Sequence, residues 1–239
     1  MTSERRHGYC PIAGVPNGCR LDTGEAYKGP CWCEEVTLPQ AALNRLLENE
    51  LEPRCICQAA LESLAAEPTA SWEAVRATAI ARIAEDDWGM RHALKLALNG
   101  LGLTAPNPTV GALVMKGGDI IGEGFHGGAG LPHAEPNAIR RAQALGHSVA
   151  GATLYVTLEP CSTWGRTPPC TDLIIRERLA RVVVGATDPN PKHCGRAYGI
   201  LRRAGISVTV GVLAAECASL NPEFHTRFAS PRSVSGLLL

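Results

Sequence analysis

Four residues in the second half of the chain have the types and the order that a hydrolytic zinc site requires. His133 and Glu135 lie in the segment HAE, and Cys161 and Cys170 follow, each directly after a proline. One histidine and two cysteines can supply three ligands to a tetrahedral Zn²⁺ and leave the fourth position for water. Bound zinc would lower the pKa of that water to about 7, and Glu135 is the carboxylate expected to carry protons. These residues therefore predict metal-assisted hydrolysis.

The predicted elements place these residues at the ends of strands and helices. ATLYVTL is typical of a buried strand and ends shortly before Cys161. Ligand crevices of open α/β sheets lie beyond such strand ends. His133 and Cys170 fall at predicted helix N-termini, where the partial positive charge lowers the pKa of a thiol. Two cysteines at this spacing could instead be core residues, but that alternative does not explain why all four residues stand in order at element ends.

The order of the remaining elements predicts a layered α/β domain. TVGALVMK and DIIGEGF flank Gly117-Gly118 and indicate a hairpin. After it, helices and strands alternate, which is typical of α/β layers. The segments are HAEPNAIRRAQALG (helix), ATLYVTL (strand), PPCTDLIIRERLA (helix), RVVVGAT (strand), RAYGILRRAG (helix), ISVTVGV (strand) and a final helix over 214–228. Upstream, residues 58–86 are expected to be helical with a break near Pro68, and Ser71 is a candidate N-cap of the second helix. The segment WGMRHALKLALNGLG predicts a further helix that begins at Trp88.

The composition fits a soluble globular protein. The chain has 239 residues, 23 basic and 23 acidic side chains, and 45% hydrophobic residues. This balance argues against a disordered chain and against a generally basic nucleic-acid binder. No apolar run approaches the roughly 20 residues of a membrane span, and MTSERRHGYC lacks the apolar core of a secretory signal. We therefore expect a cytoplasmic protein that binds neither membrane nor nucleic acid.

Longer motifs around the four residues resemble a known family. HAEPNAI, TLEPCSTWGRTPPC and TDPNP, with TAPNPTVGALV and GEGFHGGAGLPHAE upstream, resemble the deaminase domain of riboflavin biosynthesis. H-x-E…P-C…C is also the general pattern of zinc deaminases, in which the glutamate is the general acid/base and not a ligand. The match runs from about Trp88 to Phe228. It implies a three-layer α/β/α cytidine-deaminase-like sandwich with one catalytic Zn²⁺.

The resemblance implies a specific reaction on a small phosphoribosylaminopyrimidine. Hydrolysis of 2,5-diamino-6-(5-phosphoribosylamino)pyrimidin-4(3H)-one would give 5-amino-6-(5-phosphoribosylamino)uracil and ammonia. The family's usual enzyme is fused to a reductase, whereas this sequence ends at Leu239 without one. The resemblance therefore implies a separate reductase polypeptide, and it also implies a homo-oligomer.

The same resemblance assigns the substrate contacts. Asn107, Asp188 and Asn190 could equally be turn residues, and His126 a surface histidine. Arginine in GRTPPC suits a phosphate because its guanidinium binds phosphate in a bidentate manner. Thr163 departs from the family, which usually has histidine there, so one polar contact is changed. The implied contacts are Asn107, His126, Arg166, Thr167, Asp188 and Asn190.

The first 60 residues resemble the small cysteine-rich family named for its CWC motif. Ala13 and Ala60 stand where two of that family's cysteines would be. The remaining six could still form a four-ligand structural zinc site, and the alternative is a degenerate module with free thiols. These six residues are Cys10, Cys19, Cys31, Cys33, Cys55 and Cys57.

The expected organisation has four parts. They are a cysteine-rich module (1–60), a helical linker (61–87), a zinc-dependent deaminase domain (88–228) and a tail (229–239). Two rival functions remain open. One is a paralogous deaminase of another pyrimidine or purine nucleotide, which the Thr163 departure would allow. The other is a binding protein on a catalytically dead deaminase scaffold, against which the intact zinc and glutamate positions argue.

Overall fold

The computed structural model describes residues 41, 42, 44, 46, 58–165 and 168–228. The chain divides into two compact units, residues 1–86 and 87–239. Among the described residues, no helix combines the length and the apolar character needed to cross a membrane.

Two helices contain most of the described residues of the first unit. Helix α1 spans Gln58–Ala66, and α2 spans Trp72–Ala97. The side-chain oxygen of Ser71 accepts a hydrogen bond from the Ala74 N–H at 3.1 Å, which confirms the predicted N-cap. A small core of buried apolar side chains forms in this unit, and it includes Leu46, Leu61, Leu64, Val75 and Ala79.

Helix α2 corrects one prediction. The helix expected to begin at Trp88 is the C-terminal part of α2, which runs without interruption to Ala97. Alanine, glutamate and arginine dominate the stretch before Trp88, and none of them breaks a helix. A 3₁₀ turn at Leu98–Gly100 then ends the helical segment.

The second unit is built on one mixed five-stranded sheet. Its strands are β1 (Gly111–Lys116), β2 (Asp119–Phe125), β3 (Thr153–Leu158), β4 (Arg181–Ala186) and β5 (Ser207–Val210), arranged in the order β2-β1-β3-β4-β5. Strand β1 pairs antiparallel with both β2 and β3, whereas β3, β4 and β5 are parallel. The predicted hairpin and the predicted strands are confirmed. Because β3 and β4 are parallel neighbours, the segments that follow them leave the sheet at the same edge.

Five further helices follow the strands. They are α3 (Ala134–Ala144), α4 (Cys170–Arg176), α5 (Arg196–Arg203), α6 (Ala214–Ser219) and α7 (Pro222–Phe228). The single helix predicted over 214–228 is wrong, because α6 and α7 are separate. Pro222 opens α7, as proline favours a first helical turn. Asn221, in the gap, donates to the Thr109 carbonyl at 2.8 Å and accepts from the Thr109 N–H at 2.6 Å.

Glycines bring helices close to both faces of the sheet. A Cβ at Gly111 would meet the backbone of Ala93 and Ala97 in α2, and a Cβ at Gly124 would meet the backbone of Ala134 and Ala138 in α3. Gly124 pairs with Ala112, the neighbour of Gly111, and neighbouring strand residues point to opposite faces. Helices therefore cover both faces. The architecture is a helix–sheet–helix sandwich, as predicted.

Gly124→Ala tests this close packing. The added methyl group would push α3 away from β2, and overpacking of this kind costs about 1–3 kcal/mol of unfolding free energy. Chemical denaturation of the purified variant measures the loss. Gly127→Ala is the matched control, because its new Cβ would lie 3.6 Å from its nearest heavy atom. Equal stability of the two variants would contradict the packing described here.

Candidate active site

The structure brings His133, Cys161 and Cys170 together from three separate segments. His133 is the N-cap residue of α3, Cys161 follows β3, and Cys170 is the first residue of α4. The His133 Nδ1 lies 3.6 Å from the Cys161 Sγ and 3.4 Å from the Cys170 Sγ. All three ligand atoms lie within 4.8 Å of one another. Tetrahedral zinc separates its nitrogen and sulfur ligands by about 3.6 Å, so this donor set fits Zn²⁺.

The N-terminus of α4 stabilises a thiolate on Cys161. The Cys170 N–H donates to the Cys161 Sγ at 3.2 Å. Hydrogen bonding from the Cys170 side chain, and then from His133, lowers the pKa of Cys161 to about 4. The same partnership with Cys161 raises the pKa of Cys170 and brings that of His133 to about 9. Sequence reasoning assigned the helix-terminus effect to Cys170 itself, but in the fold the free amide points at the neighbouring sulfur.

Glu135 is a buried carboxyl group beside the three ligands. It lies in the first turn of α3 and is 3% exposed. Burial raises its pKa to about 7, and the charge of Cys161 acts in the same direction. A carboxyl group with a pKa in this range can both accept and release a proton near neutral pH.

A cavity of about 430 Å³ opens beside the ligands His133 and Cys161. Its other polar side chains include Asn107, Thr163 and Asp188, of which the first and the last were assigned to the substrate by resemblance. The loop over Ala129–Leu131 completes part of the wall. The cavity is therefore a polar pocket with the ligand cluster at its side.

His126 lies behind Asn107 and is not part of the cavity lining. It is 2% exposed, and its Nδ1 lies 3.1 Å from the Pro132 carbonyl oxygen. Burial lowers the pKa of His126, which favours the neutral ring. With Nδ1–H donating to Pro132, Nε2 is free to accept from the Asn107 amide at 3.4 Å. His126 therefore orients Asn107 towards the cavity.

The loop after β4 supplies another wall of the cavity. Asp188 lines the cavity, and its Oδ1 accepts from the Asn190 N–H at 2.8 Å. Asn190 does not line the cavity, and its own Oδ1 accepts from the Lys192 N–H at 3.0 Å. These are successive Asx turns. Burial raises the pKa of Asp188.

Glu159 is a residue that sequence reasoning missed. Its carboxylate accepts from the backbone N–H groups of Asp188 at 3.2 Å, Gly195 at 2.9 Å and Ala197 at 3.0 Å. It is buried, and burial raises its pKa to about 7 against the lowering effect of these bonds. Glu159 thus fixes the loop after β4 and occupies the N-terminus of α5. The only signal in the sequence is a carboxylate directly after an apolar strand.

Two further cysteines of the second unit lie within the described residues, whereas the remaining residues with predicted roles lie outside them. Cys194 is an exposed cysteine and Cys217 a buried one. Arg166, Thr167 and the six N-terminal cysteines lie outside the described residues, so their assigned roles stay predictions.

Comparison with known families agrees with this geometry. Residues 83–186 match the model of the cytidine and deoxycytidylate deaminase zinc-binding region. Residues 10–62 match the cysteine-rich CWC family, which confirms the second resemblance.

Curated relatives of the deaminase region are riboflavin biosynthesis proteins. RibD from Aquifex aeolicus (strain VF5) is 53% identical over 143 residues, which are 60% of this chain and 39% of that protein. RibD from Escherichia coli (strain K12) is 50% identical over 143 residues, which are 60% of this chain and 38% of that protein. The chain therefore spans less than half the length of these relatives.

A solved structure shows the same fold. It is a diaminohydroxyphosphoribosylaminopyrimidine deaminase/5-amino-6-(5-phosphoribosylamino)uracil reductase from Thermotoga maritima. It is 48% identical, with a TM-score of 0.59, over 62% of this chain and 42% of that chain. The cytidine-deaminase-like fold expected from the sequence is confirmed.

Cys170→Ala tests the metal assignment. Removing one of three protein ligands should lower the zinc content by one ion per chain, because the remaining pair forms an incomplete site. Elemental analysis of the purified protein measures this. Cys194→Ala removes an exposed thiol and should leave the zinc content unchanged. Equal zinc content in both variants would show that Cys170 is not a ligand.

Glu159→Ala tests the anchoring of the loop after β4. Three backbone N–H groups would lose their acceptor, and each unsatisfied buried group costs about 1–3 kcal/mol. We expect a loss of at least about 2 kcal/mol of unfolding free energy, measured by denaturant titration. Glu223→Ala, at an exposed position in α7, is the control. A Glu159→Ala variant as stable as this control would refute the anchoring role.

Proposed function

We propose that this chain is a zinc-dependent hydrolytic deaminase of riboflavin biosynthesis. Its substrate would be 2,5-diamino-6-(5-phosphoribosylamino)pyrimidin-4(3H)-one, and its products 5-amino-6-(5-phosphoribosylamino)uracil and ammonia. The observation that carries the proposal is the buried Glu135 carboxyl group beside a His/Cys/Cys ligand set at the side of a polar cavity. The names and the identity of the relatives support the choice of substrate.

The protein would provide the metal ligands and a proton carrier. His133, Cys161 and Cys170 would hold Zn²⁺, which when bound supplies Lewis acidity and so makes water a nucleophile near neutral pH. A carboxyl oxygen of Glu135 would take one proton from the attacking water and deliver it to the ring nitrogen. It would then pass the second proton, from the added hydroxyl group, to the leaving amine. Water thus replaces the 2-amino group by oxygen, and the nitrogen leaves as ammonia. The pKa of Glu135, raised to about 7 by burial, suits both transfers.

The cavity residues would hold the pyrimidine in position for this transfer. Asn107, oriented by His126, can present its amide to the ring. Asp188, on the loop that Glu159 anchors, can accept hydrogen bonds from the other end of the substrate. We also propose, from the family resemblance, that Arg166 and Thr167 grip the phosphate and that Asn190 shapes its loop.

A structural zinc in the N-terminal segment is a separate proposal. The match of residues 10–62 to the CWC family supports it. The six cysteines exceed the four ligands that a structural site needs. The zinc content of the wild-type chain tests this proposal. Two zinc ions per chain are expected, and a single zinc ion per chain would contradict the proposal.

The second candidate is a deaminase of another pyrimidine or purine nucleotide. Thr163 favours it, because this residue lines the cavity at the position where the resembling family usually has histidine. Incubation of the zinc-loaded protein with the riboflavin precursor distinguishes the two candidates. Failure to convert that precursor, with turnover of another amino-substituted nucleotide, would establish the second candidate.

Glu135→Gln tests the mechanism. We expect zinc content to be unchanged and turnover to fall by at least about 100-fold, because the proton carrier is lost. The substrate can be generated in situ from GTP with a GTP cyclohydrolase, and mass spectrometry follows the replacement of the amino group by oxygen. In heavy-oxygen water the wild-type product should carry the label. Undiminished turnover by Glu135→Gln would remove Glu135 from the mechanism.

A further inference from the structure

One wall of the cavity presents an imidazole that no sequence motif assigned. His193 lines the cavity together with Asp188. Its Nδ1 is buried and has no hydrogen-bond partner within the described residues. A buried polar atom without a partner is costly. Because the His193 Nδ1 has almost no exposed surface, the imidazole would have to turn towards the cavity to present this nitrogen to a ligand.

The backbone around His193 is fixed. Its N–H donates to the Asn190 carbonyl at 2.8 Å, and its carbonyl accepts from the Arg196 N–H at 2.9 Å. Two residues further on, the Gly195 N–H donates to the Glu159 carboxylate at 2.9 Å. His193 therefore lies in a turn whose backbone is fixed by hydrogen bonds, as is required of a residue that binds a ligand.

Asp188 is the electrostatic partner of this imidazole. His193 and His225 both stabilise its carboxylate, and the Cys161 thiolate opposes it. His225 lies in α7 and is not part of the cavity lining. On this wall of the cavity, the ligand therefore meets the carboxylate of Asp188 and the imidazole of His193.

This pair of groups selects the chemistry of the ligand. A carboxylate accepts hydrogen bonds and repels a phosphate, whereas an imidazole can both donate and accept. Sugar hydroxyls also donate and accept, so a carboxylate and an imidazole side by side match a hydroxyl-bearing sugar better than a phosphate.

We propose that His193 is a substrate-binding residue whose imidazole forms a hydrogen bond with a sugar hydroxyl of the substrate, beside Asp188. This inference rests on the proposed function, because the phosphoribosyl group supplies the sugar. It adds a specificity residue for the sugar-bearing end of the pyrimidine.

Equilibrium binding in a Glu135→Gln background tests the inference, since that variant is expected to bind the substrate and to convert it at least about 100-fold more slowly than the wild type. Isothermal calorimetry would compare His193→Leu and His193→Gln with the Glu135→Gln parent. We expect His193→Leu to weaken binding of the phosphoribosylaminopyrimidine about tenfold, the value of one hydrogen bond, and His193→Gln to restore part of the loss. Lys192→Ala, at the exposed neighbouring position outside the cavity lining, should bind as the parent does.

A second ligand separates a sugar contact from a ring contact. The same pyrimidine without its phosphoribosyl group should bind the parent and His193→Leu equally. Equal affinity of all variants for the full substrate, or an equal loss for both ligands, would overturn the inference. If the proposed function is wrong, a different result is expected: the zinc-loaded wild-type protein would neither convert nor bind the phosphoribosylaminopyrimidine. The inference about His193 would then also be wrong.

Discussion

The convergence of one imidazole and two thiols is the constraint on which the rest of the second unit depends. The His133 Nδ1 must lie within about 3.6 Å of each sulfur for one zinc ion to be shared. The two sulfurs come from the end of β3 and the start of α4, and the imidazole comes from the start of α3. Gly124 permits this arrangement because it lets α3 lie directly on β2.

A second constraint is the amount of negative charge at one edge of the sheet. The Cys161 thiolate, Glu135, Glu159 and Asp188 all lie near this edge, and burial raises the pKa of all three carboxyl groups. Backbone amides at helix N-termini compensate for part of this charge. The backbone N–H of Cys170 donates a hydrogen bond to the Cys161 sulfur, and the backbone N–H groups of Gly195 and Ala197 donate to the Glu159 carboxylate. The helix N-termini therefore stabilise protein anions at both places, consistent with their partial positive charge.

The two walls of the cavity are held by different means. Asn107 depends on a side-chain relay, in which Pro132 fixes His126 and His126 accepts from the asparagine amide. Asp188 and His193 depend on the backbone, through Asx turns and the Glu159 carboxylate. The relay fixes one side chain, whereas the anchored turn fixes a whole loop.

The sequence alone determined the strands, most helices and the identity of the candidate metal-binding group and of Glu135 beside it, because each depends on local patterns. Apolar runs define strands, and His-x-Glu with two Pro-Cys pairs defines a ligand set. Only the tertiary structure decided that His126 lies behind Asn107 and that Glu159 and His193 belong to the site. The contact of Glu159 with the loop after β4 depends on the parallel pairing of β3 with β4, which brings the backbone N–H of Asp188 to within 3.2 Å of the Glu159 carboxylate. No local pattern encodes a contact between a strand end and a loop that far along the chain.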